Sequence, residues 1–282
     1  MKNQTPEFYP VALTVAGSDS GGGAGIQADL RTFNALGVFG CSAITAVTSQ
    51  NPRQVTRIDS IPPEGIRSQM AAVFDVFKVA YTKTGMLGSR AAVEAVAAEI
   101  QHHPTGLVVD PVMVATSGAR LLDTDAVDAL RDQLLPLADW LTPNLPEAEL
   151  LLDRRIETPA ECQEAARECA ARWNCRCFLK TGHARHPGKN ATDFIALPDG
   201  AVFTISSPRL PDRRASHGTG CTLSAALAAL LAMKAPWKSA VCDAKAFVLG
   251  SLSEIVEVGS DLRAMYPPEE EYQQYIQLEA VR

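Results

Sequence analysis

Short β-branched runs alternate with longer amphipathic stretches through most of this 282-residue chain. The strands that this alternation predicts are residues 11–16, 41–47, 79–83, 107–110, 139–142 and 177–180. The helices that it predicts are residues 26–36, 64–77, 91–100, 126–135, 146–152 and 159–173. Because parallel strands need a crossover helix between them, the pattern predicts an α/β fold with a mainly parallel sheet covered by helices on both faces.

The alternation changes once, late in the chain. Residues 192–197 and 201–206 are two extended runs around the turn sequence Pro198-Asp199-Gly200, which predicts a β-hairpin. A final helix is predicted over residues 238–256, and an acidic, peripheral tail over about 266–282. Neither a repeat nor a linker divides the sequence, so we expect a single domain, residues 1–282, with its core at about 11–256.

Composition limits the partners of the chain. A net charge of −6 and a pI of about 5.4 disfavour nucleic-acid binding, which relies on clustered lysine and arginine. No apolar stretch approaches the roughly 20 residues of a membrane helix, and residues 1–7 lack a signal-peptide core, so we expect a cytoplasmic protein. The seven cysteines, four of them clustered at Cys162, Cys169, Cys175 and Cys177, match no zinc spacing and are expected to pack in the core. His183 and His186 are expected in a loop without a metal.

The most informative motif is S-H-G-T-G-C at residues 216–221, which precedes an apolar, small-residue helix. The unpaired N–H groups and the positive dipole end of such a helix favour a bound anion. Cys221 lies at the same end, where the dipole favours a thiolate. A tight turn beside an inert thiol is the alternative interpretation of this motif.

Polar residues also follow several predicted strands, at the sheet edge where α/β proteins bind ligands. The loop of residues 17–25 is rich in glycine, but Ile26 breaks the dinucleotide-binding pattern and Gly23 replaces the lysine of a Walker A loop. Asn144 and Glu147 lie three residues apart at a helix start. Their oxygens suit Mg²⁺, although a capping box would use the same two residues.

Seven ordered motifs together resemble the hydroxymethylpyrimidine/phosphomethylpyrimidine kinases of thiamine biosynthesis, in the ribokinase-like superfamily. They are AGSD (16–19), GGAGIQAD (22–29), QN (50–51), KTGML (83–87), DPVM (110–113), TPNLPEAE (142–149) and HGTGCTLS (217–224). The resemblance spans residues 11–250, nearly the whole chain. It implies a three-layer α/β/α kinase that uses ATP and Mg²⁺ and binds a small aminopyrimidine, and a homodimer is an expectation of the same kind.

The resemblance also implies roles for individual residues. Those that would hold the pyrimidine and its hydroxymethyl group are Gly17, Asp29, Gln50 and Met86. Those implied near the nucleotide phosphates are Asp110, Asn144 and Lys180, with Glu147 tied to the metal. The residues implied in the anion hole are Gly218, Thr219 and Gly220.

Cys221 occupies the position where most ribokinase-like kinases carry a catalytic aspartate. Two roles are open for it: a general base, which we favour, or a thiol that only lines the anion hole. Thr181 and Thr116 depart from the family pattern, in which glycine and lysine are frequent, and Thr116 puts a phosphate contact from its loop in doubt. The segment 185–190 is a candidate lid.

The predicted activity is phosphorylation of 4-amino-5-hydroxymethyl-2-methylpyrimidine to its monophosphate and then to its diphosphate. A pyridoxal or pyridoxine kinase is the alternative within the superfamily, because that ring also carries a CH₂OH group. A pyrimidine-binding protein without turnover is an alternative of a different class.

Overall fold

The computed structural model describes residues 9–113, 122–182, 189–210, 217–260 and 262–281. Within these ranges one sheet has ten strands. They are β1 (Val11–Asp19), β2 (Phe39–Asn51), β3 (Gln54–Ser60), β4 (Val79–Thr84), β5 (Gly106–Val109), β6 (Trp140–Leu141), β7 (Arg176–Leu179), β8 (Asn190–Ala196), β9 (Val202–Pro208) and β12 (Gln277–Ala280). A separate ribbon pairs β10 (Val256–Gly259) with β11 (Leu262–Ala264).

The strand order across the sheet is β12-β9-β8-β7-β6-β5-β4-β1-β2-β3. The pairs from β2 through β1, β4, β5 and β6 to β7 are parallel. Antiparallel strands complete both edges, with β3 on one side and β8, β9 and β12 on the other. The parallel centre therefore brings the carboxyl ends of six strands to a single edge.

Helices cover both faces of this sheet. They are α1 (Gly25–Ala35), α2 (Pro63–Val76), α3 (Arg90–His102), α4 (Thr124–Ala129), α5 (Leu145–Leu152), α6 (Pro159–Trp173), α7 (Thr219–Ala232) and α8 (Trp237–Ser253). One apolar core includes buried residues of α2 through α6, and a second includes buried residues of α1, α7 and α8. The predicted α/β/α layering is thus present. No helix in the described ranges is long and apolar enough to cross a membrane.

Local sequence explains where several helices begin. Asn144 and Thr158 each accept a hydrogen bond from the backbone N–H three residues later. The carboxylates of Glu147 and Glu161 in turn accept from the backbone N–H of the N-cap residue. Both are capping boxes, and proline lies in the first turn of each helix. α7 begins differently, at Gly218 in the left-handed conformation without a side-chain cap.

The structure differs from the sequence expectations at the edges of the sheet. The sequence does not predict strand β3, because its residues are mostly exposed and its polar sequence resembles a loop. The acidic tail is more than peripheral, since β12 pairs with β9 and Val281 donates its backbone N–H to Val202. The helix predicted over 126–135 consists of α4 followed by a π-helical turn, Leu130–Leu134. The predicted hairpin is present as β8 and β9.

The clustered cysteines lie in the core. Cys162, Cys169, Cys175 and Cys177 are free thiols and buried, as expected for packing residues. His183, His186, Thr116 and residues 185–188 of the candidate lid lie outside the described residues.

Candidate active site

A cavity of about 400 Å³ lies at the edge where the parallel strands end. Loops that follow β1, β4, β5 and β7 contribute to its wall, together with the first residues of α5 and α7. Of the residues predicted from the sequence, those that line it are Gly17, Gln50, Met86, Asp110, Asn144, Glu147, Lys180, Gly218, Thr219, Gly220 and Cys221. The fold therefore brings together motifs that are as far apart as 200 residues in sequence.

The start of α7, which the sequence predicts to bind an anion, forms one corner of this cavity. Gly218 has φ +86°, and a Cβ atom there would lie 1.9 Å from the backbone oxygen of Gly23. Only glycine fits this position, because both the conformation and the close contact exclude a side chain. The first N–H groups of an α-helix have no acceptor within the helix, and such groups favour a phosphate at this end.

Cys221 does not have the acidity that its helix position suggests. Burial raises the pKa of its thiol to about 11, although the ammonium of Lys83 acts to lower it. Burial therefore favours the protonated thiol over the thiolate that the helix position alone suggests. Cys221 carries its proton at neutral pH.

Asp110 and Lys180 form an ion pair within the cavity wall. Lys180 Nζ lies 2.8 Å from Asp110 Oδ1, and the hydroxyl of Ser224 donates to Asp110 Oδ2 at 3.1 Å. Burial alone would raise the pKa of Asp110, but Lys180 and Lys83 hold it below its usual value. The Asp110 carboxylate is therefore charged. Lys180 Nζ lies 3.3 Å from the position that a Cβ atom on Gly220 would occupy, so its ammonium is next to the start of α7.

Asn144 and Glu147 form the capping box that was the alternative to a metal site. Asn144 Oδ1 accepts from Glu147 N at 2.9 Å, and Glu147 Oε2 accepts from Asn144 N at 2.8 Å. Both residues also line the cavity. Burial raises the pKa of Glu147 to about 7, with Asp110 adding to the shift and Lys180 opposing it. Capping and a ligand-binding role are therefore compatible at this helix start.

The cavity wall also holds most of the residues assigned to the pyrimidine. Gly17 lies against Met86, whose Sδ would be 3.1 Å from a Cβ on the glycine, and Gln50 is part of the same wall. Asp29 is different, because it is fully buried and does not line the cavity. Its carboxylate binds Lys83 Nζ at 2.8 and 2.9 Å and accepts from Thr14 at 2.6 Å. This geometry therefore does not support direct contact between Asp29 and the ring.

Several polar residues of the site had no role in the sequence analysis. Lys83 is completely buried at the cavity wall, and the Asp29 carboxylate raises its pKa above the usual value against the effect of burial. A second buried pair joins Lys245 Nζ to Asp193 Oδ2 at 2.6 Å. A lysine within an apolar strand is the one sequence signal that could have indicated a buried partner for Lys83.

Asp19 and His217 also lie together in the cavity wall. His217 Nε2 is 3.0 Å from Asp19 Oδ2, although 198 positions separate the two residues. Burial of Asp19 raises its pKa, but hydrogen bonds from His217, Gly21 and Ala24 outweigh burial and lower the pKa overall. The sequence contained both residues within motifs but gave no reason to pair them.

Comparison with known proteins identifies the family. The sequence profile described as phosphomethylpyrimidine kinase matches residues 19–265. The chain belongs to this family. It is 47% identical over 249 residues to a hydroxymethylpyrimidine/phosphomethylpyrimidine kinase of Haemophilus influenzae, a match that covers 88% of this chain and 92% of the relative. The kinase function that the seven motifs implied is confirmed by these matches.

Solved structures support the same fold. A phosphomethylpyrimidine kinase from Clostridium difficile superposes with a TM-score of 0.74 at 33% identity, covering 86% of this chain and 99% of that one. A pyridoxal kinase from Staphylococcus aureus in complex with ADP gives a TM-score of 0.86 at 26% identity, covering 97% and 100%. The predicted ribokinase-like kinase fold is confirmed, and it is shared by kinases of two different rings.

Proposed function

We propose that this phosphomethylpyrimidine kinase family member transfers the γ-phosphoryl group of ATP to the hydroxymethyl oxygen of 4-amino-5-hydroxymethyl-2-methylpyrimidine. A second transfer to the monophosphate then gives the diphosphate. The observation that supports this most strongly is the shared cavity: Gln50 and Met86 lie in the same wall as the start of α7 and the Asp110–Lys180 pair. A ring alcohol and a transferring phosphoryl group can therefore meet at Cys221.

Ring recognition falls to neutral groups. The aminopyrimidine has ring nitrogens that accept hydrogen bonds and an amine that donates them, and the amide of Gln50 can satisfy both kinds of group. Met86 and Gly17 supply a polarizable, closely packed surface for the face of the ring. Asp29 does not contact the ring. It supports the cavity wall indirectly, because its ion pair holds Lys83 in place.

Phosphoryl transfer needs mainly positioning and charge stabilisation. The N–H groups of Thr219 and Gly220 and the Lys180 ammonium are placed to stabilise the transferring group. We assign Cys221 to the anion-hole lining and to contact with the hydroxymethyl oxygen, as a thiol. The pKa of about 11 supports this choice over the general base, since a loose transition state requires little proton removal beforehand.

The residues at the start of α5 fit a magnesium ion that is bound largely through water and phosphate oxygens. No group of three or more His, Cys, Asp or Glu side chains in the described ranges could hold a metal by itself. Glu147 and Asp110 are nonetheless buried carboxylates at the cavity, and burial raises the pKa of Glu147. These two residues would hold Mg²⁺ alongside nucleotide phosphates, where the ion neutralises charge on the phosphate oxygens.

An apolar extension of the cavity provides space for the nucleotide base. Val248, Leu249 and Leu252 of α8 line it, opposite Pro208 and Leu210. A planar base favours such an apolar surface. The homodimer and the cytoplasmic location stay predictions.

Product analysis tests the activity. The enzyme with Mg²⁺-ATP is given the aminopyrimidine alcohol or pyridoxal separately, and the products are identified by mass. We expect pyrimidine mono- and diphosphate. Pyridoxal phosphate as the preferred product would favour the second candidate function, a pyridoxal kinase. The structural likeness to the Staphylococcus aureus pyridoxal kinase is the observation behind that alternative.

A single variant separates catalysis from binding alone. Glu147→Gln is expected to lose turnover and to retain binding of the aminopyrimidine, because Glu147 lies at the phosphate end of the cavity. Unchanged turnover in this variant would contradict the assignment of Glu147 to the metal.

A further inference from the structure

His217 lies within hydrogen-bond distance of two other residues of the cavity wall. His217 Nε2 lies 3.0 Å from Asp19 Oδ2 and 3.4 Å from Nε2 of Gln50. The Asp19 carboxylate is almost fully buried and also accepts from the N–H groups of Gly21 and Ala24, at 2.8 and 2.9 Å. All three cavity residues, His217, Asp19 and Gln50, therefore share one short network.

The imidazole ring is also confined sterically. A Cβ atom on Gly23 would lie 2.6 Å from His217 Cδ2, and one on Gly218 would lie 1.9 Å from the Gly23 oxygen. The glycine-rich loop therefore packs directly against the ring and against the start of the anion-binding turn. The position of the His217 ring is therefore fixed, and its hydrogen-bond partners determine which ring nitrogen carries the proton.

One ring nitrogen cannot both donate and accept. Asp19 offers only acceptors, and its pKa lies below the usual value, so Nε2 of His217 must carry the proton. An Nε2–H group cannot accept from the NH₂ of Gln50. The contact of 3.4 Å is favourable only if the Gln50 carbonyl oxygen faces His217 and shares this N–H with Asp19 in a three-centre hydrogen bond, which reverses the two ends of the amide.

A second contact leads independently to the same orientation. The single hydroxyl proton of Thr48 is donated to the backbone oxygen of Ser18 at 2.9 Å. The amide end of Gln50 that lies 3.2 Å from Thr48 Oγ1 must then be a donor rather than another acceptor. With the amide reversed, the NH₂ group donates to Thr48, and the Gln50 oxygen shares the Nε2–H of His217 with the closer acceptor, Asp19.

We propose that His217, anchored by Asp19, is a positioning residue that fixes the amide of Gln50 for recognition of the substrate ring. The fixed amide offers its second N–H to a ring nitrogen and a lone pair of its oxygen to an exocyclic amine. Because these two ends cannot interchange, the aminopyrimidine binds with one orientation of its ring edge. This inference rests on the proposed function, since it names the group that selects the ring within that site.

A double-mutant cycle tests this coupling. The four proteins are the native enzyme, His217→Leu, Gln50→Ala and the double variant, each measured for the KM and kcat of the aminopyrimidine alcohol and for the KM of ATP. We expect His217→Leu to raise the pyrimidine KM five- to tenfold, about 1 to 1.4 kcal/mol, with kcat and the ATP KM within twofold. In the Gln50→Ala background the same change should have no further effect.

The control variant is His217→Gln, whose amide NH₂ can replace the Nε2–H donor and should restore most of the affinity. An equal effect of His217→Leu in both backgrounds would overturn the proposal, as would a loss confined to kcat, because either indicates support of the anion-binding turn alone. If the native enzyme does not bind the aminopyrimidine, the proposed function fails, and the inference fails with it.

A measurement on the unmodified protein avoids any folding defect of the variants. Long-range ¹H–¹⁵N spectra distinguish protonated from unprotonated nitrogens of a histidine ring. We expect His217 Nε2 to be protonated. An unprotonated Nε2 would overturn the proposed orientation of Gln50.

Discussion

Replacement of Asp29 by asparagine distinguishes a ring ligand from a buried counterion. The substitution keeps the size of the side chain but removes the charge that faces Lys83, and both side chains are inaccessible to solvent. It also weakens the hydrogen bond that Thr14 donates to the carboxylate at 2.6 Å. The ammonium of Lys83 then stays buried with its closest counterion removed.

The expected loss follows from that burial. Removal of one partner of a buried ion pair costs about 3–5 kcal/mol in the free energy of unfolding. For a chain of this size, that is a decrease in Tm of roughly 5–8 °C. Because Asp29 does not line the cavity, we expect the KM for the aminopyrimidine to change less than about threefold in the folded variant.

Urea unfolding of four proteins measures this loss: native, Asp29→Asn, Lys83→Met and the double variant. The double variant should be more stable than either single one, since it buries no unpaired charge. The reasoning is refuted if Asp29→Asn unfolds within about 1 kcal/mol of the native protein while its pyrimidine KM rises by about 100-fold. That result would return Asp29 to the ring, as the sequence motif implies.

Three further substitutions test the anion-binding turn, the buried acid and the thiol. Gly218→Ala should lower kcat by about 10²–10³ because the turn must move. The control Gly200→Ala changes a glycine with φ +89° and open space around it, so it should cost only about 1 kcal/mol of stability. Equal kcat values for the two variants would contradict this prediction. The pKa of Glu147 is raised to about 7, so the metal-free protein should lose stability as pH rises from about 4.5 through 7. Glu147→Gln should remove this loss in melts at pH 5 and 8 with chelator, and a persistent slope would exclude Glu147 as its source. Cys221→Ser should keep kcat within about tenfold of the native value. A loss of about 10²–10⁴ in this variant, together with a native kcat that rises tenfold per pH unit above 7, would instead establish a thiolate base.

The layered fold follows from local features of the sequence. Periodicity of apolar residues is a property of neighbouring positions, so the parallel centre from β1 to β7 and the late hairpin could be predicted. The strand β3 could not, since it is mostly exposed and pairs only at the edge of the sheet. The glycine at position 218 was informative because its role depends on its own backbone conformation.

The ordered motifs by themselves determined the family and the position of most cavity residues, because backbone turns and strand ends fix where such residues lie. Only the tertiary structure decided what the charged groups do. Asp29 meets Lys83 across 54 positions and His217 meets Asp19 across 198, and burial raises the pKa of the Cys221 thiol. Desolvation and ion pairing depend on everything packed around a group, and no local pattern of residues contains that information.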